Sequence, residues 1–238
     1  MTIPEWFYVE HDDNNIWKPD NLNYTQILQE INELETLIQG ASCGEREVLN
    51  YLKGKDYLFY GMYRDGHGTF VFRELKFGVN YQADYIVGSG SSAGILWDLI
   101  ELESPQETPF IQTGAYSRAT RKGLEQISDW RRYIGQNIST VQAPKLQQGQ
   151  GLLDIHSLSP GIVVVGQRKL YEGLPGAGQY NQKRKDTKRE SHIDVISYET
   201  LFERMRFGTQ RRHDYQNALS ANNGVVSLSL FTDSVNDE

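Results

Sequence analysis

A single cysteine, Cys43, among 238 residues leaves no partner for an intrachain disulfide and too few thiolates for a cysteine-held zinc. The five histidines, at positions 11, 67, 156, 192 and 213, are scattered and show no metal-ligand spacing. No apolar run approaches the ~20 residues that a membrane-spanning helix needs. The opening stretch MTIPEWFYVEHDD has neither a basic start nor an apolar signal core. The expected address is the cytoplasm, with no membrane partner. A net charge of −7 offers no bulk attraction to a polyanion, but the charge is unevenly spread. Residues 110–190 carry 13 Lys/Arg against 6 Asp/Glu, and the remainder carries 11 against 25. A local excess of +7 keeps a phosphate backbone open as a partner, while the acidic whole argues against indiscriminate binding.

What is present is a chain with 38% hydrophobic residues, long enough to bury one sizeable core. Ile27, Ile31, Leu34 and Ile38 recur at helical spacing and Gly40 follows as a stop. A second helix is expected in CGEREVLNYLKGK. DYLFYGMYRDGHGTFVFRELKF reads as strands around a turn at Asp65-Gly66. A second hairpin follows, with ADYIVG and ILWDLIELES as strands around SGSSAG. If its turn is centred on residues 91 and 92, Asp84 falls opposite residues 99–101. Residues 114–137 read as a long helix, with Leu124, Ile127, Arg131 and Ile134 along one face. GIVVVGQR is apolar throughout, as a strand buried on both faces would be. NQKRKDTKRE reads as a solvated loop, and HIDVISYETLFERM as a strand followed by a helix. From about residue 214 helical and strand continuity is lost apart from VVSLSLF. The order predicts an α/β fold with a mixed central sheet flanked by helices.

The stretch WDLIELESP places two glutamates in an apolar strand. Residues i and i+2 of a strand point the same way, so Glu101 and Glu103 share a face about 6.6 Å apart at Cα. Asp84 arrives at the same level from the neighbouring strand. Carboxylates gathered at a buried edge suit a hard divalent cation, which takes oxygen ligands and completes its shell with water and phosphate. Two or three carboxylates at such an edge make Mg²⁺, or Mn²⁺, the expected ion. The competing reading leaves Glu101 and Glu103 solvated beyond the strand end. Arg118, Lys122, Gln126 and Trp130 recur every four residues on the long helix and form one stripe. That stripe faces either a phosphate backbone or solvent. Arg118, Lys122, Arg131, Lys183, Arg184 and Lys185 are the candidate nucleic-acid contacts. Gly88-x-Gly90 follows a strand but precedes another strand, which disfavours a nucleotide-binding turn.

An acidic helix start, ADYIVG, IELE and QISDW, taken in that order, resemble the PD-(D/E)XK restriction-endonuclease-like core. More narrowly, ADYIVGSG, LIELESP, LEQISDWRRYIGQN, GIVVVGQR and HIDVISYETLF resemble the nuclease domain of Shedu anti-phage defence proteins. The resemblance spans roughly residues 42–205, about two-thirds of the chain. It implies an N-terminal extension at 1–41, a nuclease domain at 42–213 and a tail at 214–238. It implies a homo-oligomer acting as a Mg²⁺-dependent endodeoxyribonuclease on DNA, in anti-phage defence. By the same resemblance Asp84 and Glu101 hold the metal and Gln126 steadies the site. Glu45, or Glu47 if the alignment slips, orients the attacking water.

One position departs from the family pattern. A lysine is expected at 103, to hold the attacking water and offset charge in the transition state. The residue is Glu103, which fits a further metal ligand or a base toward water. Lys122 or Arg118 could then supply the missing charge. Two other readings stay open at this level: a catalytically silent nucleic-acid-binding module of the same fold, and an interaction protein whose acids are solvated.

Overall fold

The computed structural model describes residues 16–17, 22–62 and 68–221. Six strands form one sheet in chain order: β1 (Ile16–Trp17), β2 (Thr69–Phe77), β3 (Tyr81–Ser91), β4 (Gly94–Leu102), β5 (Gly161–Val164) and β6 (Ile193–Ile196). The first four pair antiparallel, and β4, β5 and β6 run parallel. The helices are α1 (Tyr24–Gln39), α2 (Glu45–Leu52), α3 (Arg118–Gln136), α4 (Ile138–Gln142), α5 (Ala177–Ser191) and α6 (Tyr198–Ala221). The expected mixed sheet with flanking helices is the observed architecture.

Each face of the sheet carries its own apolar layer. Ile127, Trp130 and Ile134 of α3 pack on Phe70, Ile86, Trp97, Leu99 and Val163. On the other face, α1, α2 and α6 cover Val71, Tyr85, Val87, Ile100, Leu102, Ile162 and Val164. The period-two alternation of β4 divides Leu99 from Ile100 in this way. β5 is buried along its whole length because both layers need it. α1 buries Tyr24, Ile27, Ile31, Leu34 and Ile38 as one stripe. Asn23 caps it, its side-chain oxygen accepting from the Gln26 amide at 3.1 Å. α1 thus shares one core with the elements that follow residue 42.

Four expectations change. Residues 56–62 form a 3₁₀ segment (Asp56–Met62), not a strand, with Leu58, Phe59 and Tyr60 buried. A short apolar run cannot by its period alone distinguish a strand from a buried turn of helix. This segment lies against α6 at a glycine crossing: a Cβ on Gly61 would sit 1.9 Å from the Met205 carbonyl oxygen, and one on Gly208 2.0 Å from that of Gly61. β2 pairs instead with β3 through a turn between Phe77 and Tyr81, while Arg64 to His67 lie outside the described residues. The charge run NQKRKDTKRE lies within α5, not a loop. Its Lys, Arg and Gln residues favour helix, and Asp186 pairs with Gln182 at i,i+4 and Arg189 at i,i+3. Lastly, α6 continues past residue 214 to Ala221. VVSLSLF lies outside the described residues.

Candidate active site

The β3–β4 hairpin turns at Ser92-Ala93, with Ser91 opposite Gly94 and Tyr85 opposite Ile100. The same register sets Asp84 opposite Glu101. The β3–β4 ladder stops at that level, and the Asp84 side chain continues it: its Oδ2 accepts from the Leu102 amide at 2.8 Å. The β2–β3 hairpin creases here as well. Phe70 and Phe72 face the α3 layer ahead of the crease, and Leu75 and Phe77 beyond it. Two even positions followed by two odd ones mean that the alternation slips by one residue. Glu74, with φ of 51°, is where it slips.

Glu101 and Glu103 are only 1% and 3% exposed, so the solvated reading of both is excluded. The Glu101 carboxyl is in side-chain hydrogen-bond contact with Asp84, and its Oε2 is buried with no hydrogen-bond partner. Glu103 is fixed by its backbone. Its amide donates to the Val164 carbonyl at 2.8 Å, and its carbonyl accepts from the Tyr198 hydroxyl at 2.7 Å. Its side chain meets a cation: Lys122 Nζ stands 3.1 Å from Oε1 and 3.2 Å from Oε2. The same ammonium lies 3.5 Å from Glu45 Oε2. Glu45 opens α2, whereas the Glu47 carboxylate is turned back onto the Gly44 amide at 2.8 Å as a helix cap.

Burial raises the pKa of all three strand acids. For Glu101 the neighbouring Asp84 and Glu103 add to the rise. For Asp84 the Leu102 amide opposes it only in part. Glu103 is pushed up to about 7, burial outweighing the Lys122 contact. Burial also works against the Lys122 charge, yet its acid neighbours prevail and its pKa is raised. Among the described residues the two buried glutamates, the partly buried Asp84 and Glu45 therefore face a single ammonium, too little charge to neutralise them.

The stripe on α3 runs from solvent into the core. Arg118 is exposed, Lys122 is about half exposed, Gln126 is partly buried and Trp130 is fully buried. Gln126 Oε1 is buried without a hydrogen-bond partner, one turn along from Lys122. Gly123, which sequence reasoning passed over, sets how deep this helix sits. A Cβ there would stand 2.7 Å from Val163 Cγ1 and 3.5 Å from Glu101 Cγ. An isolated glycine inside a helical pattern is the signal that marks such a close approach.

The remaining candidates separate. Arg131 lies at the opposite, N-terminal end of the parallel strands. Its guanidinium donates to the carbonyls of Ser159, Ser191 and His192 at 2.9, 2.6 and 3.0 Å. It is a strut between the loops entering β5 and β6, at the end of the parallel strands opposite to the acids. Lys183 joins the α3 end of the fold through Tyr116: its Nζ lies 4.9 Å above that ring. The Tyr116 hydroxyl also reaches the Lys183 carbonyl and Thr187. Arg184 turns toward the Tyr180 hydroxyl, and Lys185 is exposed two residues from Lys183, on the other side of α5. The charge run is therefore not a single face. His156 serves its own loop, its Nδ1 accepting from the Leu158 amide.

The donors fit a hard divalent cation: carboxylate oxygens with unsatisfied, buried lone pairs beside an amide oxygen. Among the described residues no group of three or more acids, histidines or cysteines is already drawn together as a metal cage. Lys122 holds Glu103, and Asp84 and Glu101 hold each other.

An α/β core of this kind, with an Asp and a Glu brought level by a hairpin and a helix laid over them, is PD-(D/E)XK-like. Residues 42–202 match the family model of the Shedu protein SduA, C-terminal, and the chain belongs to that family. Membership points to anti-phage defence. No curated protein matches the chain. Among the described residues, no helix is long and apolar enough to cross a membrane.

Proposed function

We propose that the chain is a Mg²⁺- or Mn²⁺-dependent DNA endonuclease of anti-phage defence. The observation that carries this reading is the buried Glu101 carboxyl, with one oxygen unpartnered, in contact with Asp84 at the end of a mixed sheet. Such a group is costly to keep as an anion unless something positive meets it, and a bound cation would displace the proton that burial otherwise favours. Asp84, Glu101 and Glu103 would hold the ion, with Gln126 and Glu45 beside them. Bound there, a divalent cation supplies Lewis acidity toward the phosphate oxygens.

The chain's own groups do the rest. Glu103 or Glu45 accepts a proton from water as the water oxygen bonds to phosphorus. The bond from phosphorus to the leaving oxygen breaks, and that oxygen takes a proton from solvent. Arg118 and Lys183, on elements joined through Tyr116, would contact the DNA backbone, with Arg184 and Lys185 at their margin. The chain would act as a homo-oligomer in the cytoplasm.

Incubation with supercoiled plasmid in Mg²⁺ or Mn²⁺ tests this. Cleavage abolished by chelator, and lost in Asp84→Asn, supports the enzyme. DNA binding without cleavage in either metal supports the silent module that Glu103 otherwise suggests.

A further inference from the structure

Hydrolysis of a phosphodiester builds negative charge on phosphate oxygens at the moment of attack, and a catalyst must offset it. The strand position from which this fold's pattern offers a lysine is occupied by Glu103. The cation facing the acids therefore has to be sought on the surrounding elements. The groups acting on the cluster are Glu45 from α2, Asp84 from β3, Glu101 and Glu103 from β4, and Lys122 from α3. Among the described residues Lys122 is the cation that bears on Asp84, Glu101 and Glu103 alike.

Its position has three supports. The ammonium straddles both Glu103 oxygens at 3.1 and 3.2 Å. Gly123, next in sequence, lets α3 settle against Val163, which brings the Lys122 stem within reach of β4. The Lys122 side chain is 52% exposed and that of Glu103 5%, so the ammonium stands between the buried acids and solvent. A phosphate approaching the acids from outside meets it first. Arg118, one turn earlier, is exposed, and among the described residues the ion pairs to Glu45 and Glu103 are made by Lys122.

We infer that Lys122, reaching in from the helix, does the work that the strand lysine does in this fold's usual pattern. Its charge faces the phosphate oxygens during attack. Its contact with Glu103 holds that carboxylate where it can accept the water's proton as oxygen bonds to phosphorus and the leaving oxygen departs. The inference rests on the nuclease reading above. Its rival is an ion pair that only neutralises Glu103 and takes no part in cleavage.

The full chain, Lys122→Met and Lys122→Arg are compared for plasmid cleavage in saturating Mn²⁺, and for Mn²⁺ affinity by calorimetry. Lys122→Met is expected to cleave about 100-fold more slowly or worse. Its Mn²⁺ affinity stays equal or tightens, because the competing ammonium has left the acids. Lys122→Arg retains part of the rate. A structural role would weaken metal binding and cleavage together, and that outcome overturns the inference. So does cleavage by Lys122→Met within about threefold of the parent. A parent chain that binds Mn²⁺ but never cleaves overturns the nuclease reading, and the inference with it.

Discussion

Glu103 concentrates the chemistry at the scale of single residues. Its pKa of about 7 lies above the ordinary 4.5 because burial outweighs the ammonium beside it. A carboxyl whose folded pKa is raised contributes stability in full below its unfolded value and loses it as pH climbs through the folded one. Between pH 4.5 and about 7 the metal-free protein therefore surrenders stability at this residue. Asp84 and Glu101 shift in the same direction. A divalent ion replaces the protons that these groups release, so its stabilising effect grows over the same window. Thermal unfolding with and without Mn²⁺ should show a larger metal-induced rise in Tm at pH 7.5 than at pH 5.5. A rise that is constant or shrinks with pH would deny these groups the ion. The acids were legible in advance because strand period and hairpin symmetry bring Asp84 level with Glu101. Gly123 was not, since a missing side chain has meaning only once Val163 is known to lie opposite.

At the scale of elements, α3 carries the site at one end and a structural clamp at the other. Arg131 shows the difference between a basic residue and a nucleic-acid contact: all three of its described bonds go to main-chain carbonyls. Arg131→Met leaves those carbonyls with fewer donors and should cost about 1–3 kcal/mol. Its DNA affinity should stay unchanged, read by thermal unfolding beside a binding titration. A variant of parental stability that binds DNA more weakly would return Arg131 to the phosphate-facing set. Spacing alone could not tell these roles apart, because Ser159, Ser191 and His192 reach Arg131 only through the folding of β5, α5 and β6. α5 was missed for a related reason. Only Tyr180 is buried along its length, so there is no apolar stripe to read. Helix-favouring residues and local ion pairs hold it, while Tyr116 and Tyr180 dock it.

Across the whole molecule, two apolar layers clasp one sheet, and the site lies where β4 leaves it. α1 belongs to this arrangement. Its Ile27, Ile31, Leu34 and Ile38 are at most 1% exposed. Burying each contributes about 1.5–3 kcal/mol, together comparable to the stability of a typical domain. α1 also reaches the active-site edge. The Ile38 carbonyl accepts from the side chains of Gln106 and Gln167, both at 2.8 Å, just beyond β4 and β5. Deleting residues 1–40 should therefore abolish cooperative thermal unfolding, not release a free-standing nuclease domain. A truncated chain that unfolds cooperatively near the parental Tm would show that α1 is dispensable. The mixed sheet and the helices that carry an apolar stripe could be read from periodicity. The junction of α1 with the site could not, because it is made by amide side chains meeting one carbonyl across the fold.

The central claim is that Asp84, Glu101 and Glu103 form the ion site of a DNA-cleaving enzyme. Its most direct test is the cleavage rate of supercoiled plasmid by the parent chain and by Glu101→Gln, side by side in saturating Mn²⁺. The amide keeps the shape of the buried side chain and removes its charge. The account predicts cleavage by the parent and a loss of about 100-fold or more in the variant. Equal rates in the two proteins, or no cleavage by the parent, would contradict it.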